Sequence, residues 1–319
     1  MSDTSLPYSV YPDASILQSA AWAQFQQAIG HSTVEQSGAH WHWMAIQHKR
    51  RYGSYLDLPY GPTIGKKSAI QPAITTLIEE AKKIGAVFVR IEPIGEISEE
   101  DLKQFGAVKA EKNTQPQHSS VIDLNLPLAE LRAALNKGRK SALNSAVKQE
   151  VGFEECKNPE DIKDFLEMIH ITYQRTHIRA HADEHYIKTM ETLMPLGIAR
   201  LFYATHSGKR VAGVISFDSP TTRYYIHAAS LPEARDLEAA SFLVWQIIVN
   251  AKERALKSFD FFGIAPPNEP NHPWVGFTHF KKSFGGTDVT HIGTWEIPVK
   301  SSLYHALRSA KKLHKLIKK

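Results

Sequence analysis

Hydrophobic positions along the chain switch repeatedly between the 3.6-residue spacing of helices and the alternation of strands. Residues 16–29 set Trp22, Phe25 and Ile29 on one stripe behind Ser19, which predicts a capped helix. His40 to Gln47 alternates as a strand and Tyr55 to Leu58 as another, broken by Pro59-Tyr60-Gly61-Pro62. A helix is expected over 68–84, stopped by Gly85, then a buried strand at 86–93 and a short helix at 98–105. The polar run 111–120 carries a proline and reads as a linker. The theme then restarts, with a strand at 120–124, a long helix at 128–149, and helices at 159–176 and 183–194. Three consecutive strands follow at 198–205, 211–217 and 223–228, then a helix at 233–256 and the apolar run Phe259 to Phe262. Taken alone, Phe280 to Gly286 reads as a surface strand with solvated lysines before a Gly-Gly turn.

Such alternation predicts an α/β (α+β) protein with mixed sheets flanked by helices. A length of 319 residues exceeds one ordinary core, so two domains are expected. Hydrophobic and charged contents of 42% and 22% are those of a globular protein. With no signal-like N-terminus and no apolar run of spanning length, a cytoplasmic location is expected. The single cysteine, Cys156, excludes a disulfide framework and a cysteine-rich zinc site within the chain. A net charge of +5 points to an anionic partner without naming it. Seven basic residues and no acid lie between Lys300 and Lys319, on a stretch with helical apolar spacing. Nucleic acid, an anionic membrane face, and packing on its own protein with a solvated basic side are all open for it.

The helix, three-strand meander, helix and strand of the second half look like a GNAT-type acyltransferase, and the first 120 residues fit a reduced version of it. Such a fold working on acyl-CoA offers glycine-rich amides at a helix N-terminus to the pyrophosphate. The corresponding stretch is Arg235-Asp236-Leu237-Glu238-Ala239-Ala240, with Glu238 where glycine is required. Its carboxylate and that of Asp236 repel phosphates, which disfavours an acyl-CoA donor.

Short motifs in order along the chain then resemble the FemABX family, which transfers amino acids from aminoacyl-tRNA onto peptidoglycan precursors. They include Leu17 to Trp22, Pro59 to Pro62, Arg90 to Pro93, Gln115-Pro116, Leu135 to Lys140, Thr172 to Arg175, Tyr224 to Ser230, Phe259 to Gly263, Phe280-Lys281 and Phe284 to Gly286. The resemblance implies two GNAT-like domains, 1–119 plus 297–319 and 120–296, with the C-terminal segment packing back on the first. No segment is long enough for the helical arm of many members, so the compact branch is implied. Expected partners are an aminoacyl-tRNA and a lipid-linked or UDP-linked muropeptide, with peripheral contact at the inner membrane face and no resident cofactor.

By the same resemblance Lys281 polarises the aminoacyl carbonyl or meets the tRNA end, and Phe280 forms the adjacent wall. Lys282 takes that role if the register shifts by one. Arg179 is implied for the precursor diphosphate, with His181 as its alternative, and Tyr186 as a hydroxyl contact. Tyr60, Tyr225 and His227 fall on family positions as substrate contacts, His227 being open between pocket donor and core histidine. A second phosphate-contacting lysine of the compact branch falls on Gln24 or Gln26, neither charged. His177, His181 and His185 have i, i+4 spacing, but no glutamate sits in the metalloprotease position and a helix start at Asp183 splits them, so no metal is expected. Asp57 and Glu92 are either a base for the attacking amine or loop-anchoring carboxylates. The basic helix around Arg132 to Lys148, with the C-terminal helix, offers a phosphate-tracking surface or merely a solvated face. Two other readings stay open: an acyl-CoA-dependent N-acyltransferase of a small amine, and a non-catalytic binder of RNA or anionic lipid.

Overall fold

The computed structural model describes residues 14–95, 97–176 and 180–317. The chain divides into two compact units, residues 1–117 with 291–319, and residues 118–290, each holding a seven-stranded sheet.

In the first unit Ser19 accepts a hydrogen bond from the Trp22 N–H and so starts helix α1 (Ala20–Ala28). Strands β1 (Ser32–Gly38), β2 (Trp41–Arg50), β3 (Gly53–Leu58) and β4 (Thr63–Ile64) follow, then α2 (Ile70–Lys83), β5 (Phe88–Ile91), α3 (Glu99–Lys103) and β6 (Val108–Lys109). Ser98 and Asp101 close a reciprocal capping box on α3. The sheet order is β1-β2-β3-β5, then β14 (Trp295–Pro298), then β6, with β4 on β2. The C-terminal segment therefore returns to the first sheet, β14 pairing antiparallel with β5 and β6. Trp43, Leu56, Leu77, Val89, Ile91 and Trp295 fill the core beneath. Glu92 accepts from the backbone N–H of Thr114 and of Gln115, at 3.0 and 2.8 Å, so of its two open readings the loop anchor is the one seen.

The final helix, α10 (Ser301–Ile317), docks through Tyr304, whose hydroxyl donates to Glu296 at 2.9 Å. Arg308 donates to the Tyr304 hydroxyl and to the Lys109 carbonyl. The first turns of this basic helix thus pack on their own unit.

The second unit runs β7 (His118–Asp123), α4 (Leu128–Ala134), α5 (Lys137–Lys148), β8 (Gly152–Cys156), α6 (Ile162–Thr176), α7 (Asp183–Leu193), β9 (Ala199–His206), β10 (Lys209–Asp218), β11 (Thr222–Ser230), α8 (Ala239–Glu253), β12 (Ser258–Gly263), α9 (Val275–Lys282) and β13 (Thr287–Thr290). Its sheet order is β13-β7-β12-β11-β10-β9-β8, in which only the β11–β12 pair is parallel. Phe202, Val214, Trp245, Ile248, Phe259 and Phe261 lie in the core.

Two expectations are corrected here. The long helix expected over 128–149 is two helices, because Asn136 turns its side chain onto the Arg139 N–H and caps a fresh start. The surface strand read at Phe280 to Gly286 is the last turn of α9 and the turn after it. Gly285 takes φ +87°, and a Cβ there would lie 2.7 Å from Ala134 Cβ and 2.8 Å from its carbonyl oxygen, so the glycine is required by both backbone and space.

Candidate functional site

The parallel ladder between β11 and β12 pairs three residues, ending at Tyr224 opposite Asp260. Both strands continue beyond it, β11 to Ser230 and β12 to Gly263, so the sheet opens at their carboxyl ends. Open sheets bind ligands at such points, where neighbouring strands part. Against β7, β12 carries a bulge between Asp260 and Gly263, with Phe262 in the left-handed region at φ 58°. Bulges commonly redirect groups beside active sites.

Lys281 of α9 enters this opening. It is 9% exposed, and its Nζ donates to the Gly263 carbonyl just past the bulge, at 2.6 Å. The Phe277 ring lies 5.0 Å from Nζ and the Tyr225 ring 5.7 Å away. Burial lowers the ammonium from its usual range to about 8, and the carboxylate of Asp260 works against that fall. Burial raises Asp260 to about 6, held down by the Phe262 N–H, Ser119 and Lys281. The opening therefore holds a desolvated cation facing aromatic surface, with a carboxylate behind it.

Lys281 and Lys282 are distinct in their surroundings. Lys282 is 41% exposed on its side chain and pairs with Asp288. Phe280, expected as the wall beside Lys281, turns instead to the Arg139 guanidinium, 4.5 Å above its ring, and to Phe284. One helix position shifts direction by about 100°, which separates Phe280 from Lys281 and puts Phe277, one turn earlier, beside it. Phe277 and Asp260 are the neighbours that the sequence reading missed. A helical register through 275–282 would have signalled Phe277, and nothing local signals Asp260.

Tyr225 and His227 have different neighbours. A bulge between β10 and β11 sets Ile215 opposite His227 and Ser216 opposite Tyr225, leaving Ile226 extra. The alternation of strand side chains breaks there. Tyr225 lies 5.7 Å from Phe261, and burial raises its hydroxyl. His227 lies 5.1 Å from Tyr186 and 5.6 Å from His181. His181 and His185 stack with centroids 4.0 Å apart. Burial first, and the neighbouring histidines next, lower His185 to about 4 and His227 to about 3, so both rings are neutral at pH 7. Tyr186 is 1% exposed and its hydroxyl accepts the His181 backbone N–H at 3.2 Å; the side chain is a strut under the histidines. The i, i+4 reading thus gains a third histidine from the sheet. His177 and Arg179 lie outside the described residues.

Tyr60 and Gln26 sit in the first unit. The Tyr60 hydroxyl donates to the Pro116 carbonyl at 2.9 Å, and Gln26 is buried on α1. In the second unit, Glu238 precedes α8 with φ 53° and accepts a hydrogen bond from the Ser241 hydroxyl at 3.0 Å. The place where a GNAT enzyme grips pyrophosphate is taken by this chain's own carboxylate.

Two units with mixed sheets, the second splayed around a buried lysine, define a GNAT-like architecture. Residues 199–312 match the FemAB family. That segment spans the splayed strands, α8, the lysine helix and the start of α10. Among solved structures, the crystal structure of FemX shares the fold with a TM-score of 0.84 at 17% identity, over 92% of this chain and 94% of that one. The C-terminal domain of a putative lysylphosphatidylglycerol synthetase from Agrobacterium fabrum matches at 0.61 and 12% identity, over 92% of each chain. A tandem GNAT protein from the clavulanic acid biosynthesis pathway matches at 0.50 and 13%, over 84% of this chain and 83% of that one. No curated protein matches the chain by sequence. Residues 199–312 are thus similar to the FemAB family, within a chain that shares the FemX fold. Among the described residues no helix is long and apolar enough to cross a membrane.

Proposed function

We propose that the protein transfers an aminoacyl group from aminoacyl-tRNA to an amine on the peptide stem of a peptidoglycan precursor, with Lys281 as the catalytic electrophile. The observation that carries the reading is the buried Lys281 ammonium in the opening between β11 and β12. An aminoacyl ester is already activated, so the enzyme needs to align the amine, stabilise charge on the carbonyl oxygen and exclude water. The amine nitrogen attacks the ester carbon, forming the C–N bond while the carbonyl electrons move onto oxygen beside Lys281 Nζ. Collapse expels the ribose oxygen, which takes up a proton as the nitrogen sheds one. No covalent enzyme intermediate is required.

Phe277 and Tyr225 exclude water from the ammonium and raise its electrostatic effect. The diphosphate of the precursor is assigned to the segment around Arg179 and His181, with His227 beside it and Tyr186 as the supporting strut. Tyr60 and Gln26 are proposed as outlying contacts. Donor recognition through phosphates calls for a basic face, and the α5 helix with Lys137 and Lys148 exposed offers one. The reading includes action in the cytoplasm with peripheral contact at the inner membrane face. Glu238, seated at the α8 N-terminus, weighs against acyl-CoA as donor.

Incubation with charged tRNA and either a UDP-linked or a lipid-linked muropeptide, followed by mass spectrometry, tests the proposal. A gain of one amino-acid residue on the stem is expected. Product formed from acetyl-CoA, with none from charged tRNA, would overturn it.

A further inference from the structure

We propose that His181, His185 and His227 form a binding site for one divalent transition-metal ion of the zinc class, with a coordination position left open. Each histidine offers a ring nitrogen, and these atoms all lie within 4.8 Å of one another. They converge from three places: the segment before α7, the first turn of α7, and strand β11. His181 and His185 are separated by three residues, a spacing common in zinc sites. An all-imidazole donor set suits zinc, cobalt, nickel or copper, whereas magnesium and calcium take oxygen ligands.

Tetrahedral zinc with bonds of about 2.0–2.1 Å sets its nitrogens about 3.4 Å apart. The ring nitrogens therefore need to draw together by at most about 1.4 Å. His181 is exposed and can swing inward, while His185 and His227 are half-buried on a helix and a strand. The support beneath is buried, Tyr186 being 1% exposed. Tyr186 packs its ring 5.1 Å from His227 and fixes the His181 backbone through its hydroxyl. Three protein ligands leave room for water or an anionic oxygen in the fourth position, the arrangement of zinc sites that bind an exchangeable group. The bulge at Ile226 gives this cluster neighbours other than those of Lys281, so metal binding does not depend on the acyl-transfer assignment.

The test uses the untagged full chain, stripped with chelator and titrated calorimetrically with Zn²⁺ alone, and separately followed by the visible bands of Co²⁺. No substrate is present, so the outcome is independent of transferase activity. One ion per chain and a tetrahedral-type Co²⁺ spectrum are expected. His181→Ala is expected to weaken Zn²⁺ by more than about 100-fold, beyond the 10–100-fold typical of losing a supporting partner. His227→Gln is expected to do the same, and His206→Gln to leave binding unchanged. Thermal melts by circular dichroism check that each variant is folded. If His227→Gln fails to fold, the exposed His181→Ala decides. No uptake by the wild type, or equal affinity in His181→Ala, overturns the proposal.

Discussion

Replacing Lys281 with methionine should slow transfer severely and stabilise the protein at the same time. Burial lowers the ammonium from 10.5 to about 8, so at pH 7 holding the charge inside costs roughly 3 kcal/mol relative to the unfolded chain. The sign follows from proton counting. Between pH 8 and 10.5 the unfolded chain binds the proton that the folded one has lost, so stability rises with pH across that window and the penalty is full below it. Methionine removes the penalty, fits between Phe277 and Tyr225, and leaves the Gly263 carbonyl without its donor, at about 1 kcal/mol. The net gain is about 2 kcal/mol, or about 4–8 °C in Tm for a unit of this size. Turnover should fall by about 10²–10³, the loss typical of one charge-stabilising donor. The wild-type rate should decline above pH 8 as Lys281 loses its proton. Urea unfolding from pH 6 to 10, with single-turnover transfer on the same preparations, reads both effects. A variant that is inactive and also less stable refutes the reasoning, because lost activity would then report lost structure.

Lys282→Ala should keep at least half of wild-type turnover, since its amine pairs with Asp288 away from the opening; a loss matching that of Lys281→Met would reverse the assignment. Glu92 is raised to about 7, first by burial, so the folded chain holds a proton between pH 4.5 and 7 that the unfolded chain lacks, and stability falls as pH climbs through that window. Glu92→Gln should flatten this slope and gain about 1–3 kcal/mol at pH 8 while matching wild type near pH 4.5, as read by urea midpoints. Gly285→Ala should lose at least about 2 kcal/mol, because a Cβ meets the Ala134 backbone and the φ of +87° is strained for alanine; denaturant melts check it. Acetyl-CoA at millimolar concentration should leave Tm unchanged, and a clear rise would restore acyl-CoA as a donor.

The long amphipathic and apolar segments were legible because their burial is local to the pattern: α2, α6, β9, β10 and α8 fall close to where periodicity puts them. Strands β1, β8 and β13 were not, because Ser32 to Gly38, Gly152 to Cys156 and Thr287 to Thr290 are polar edge or near-edge strands stabilised by pairing. The 128–149 stretch is rich in helix formers on both sides of Asn136-Lys137-Gly138, and the side-chain bond of Asn136 marks its break. At the site, the lysine pair and the glycines were visible in sequence. The choice between Lys281 and Lys282 was not, since it depends on which lysine faces Gly263 and which faces Asp288. Asp260 lies 21 positions from Lys281, and a strand bulge brings the pair together. The three histidines show the same limit: spacing links His181 to His185, whereas His227 arrives through the sheet.

The charges around the second sheet separate two tasks that a GNAT enzyme using acyl-CoA would combine. Such an enzyme receives its donor's phosphates at the N-terminus of the helix after the central meander, where free amides and the helix dipole favour an anion. Here that helix is α8, and Glu238 sits at its start with its carboxylate bonded to Ser241. Arg139 reaches the same serine and also donates to Ser283 at 2.9 Å, tying α5, α8 and the end of α9 together. A phosphate arriving there would meet a fixed carboxylate and displace a bonded network. Among the described residues, the desolvated ammonium of Lys281 beyond the bulge is the feature of the splayed sheet suited to an activated acyl group. A donor held elsewhere by its own phosphates, and presenting only its ester to the opening, fits that division of charge.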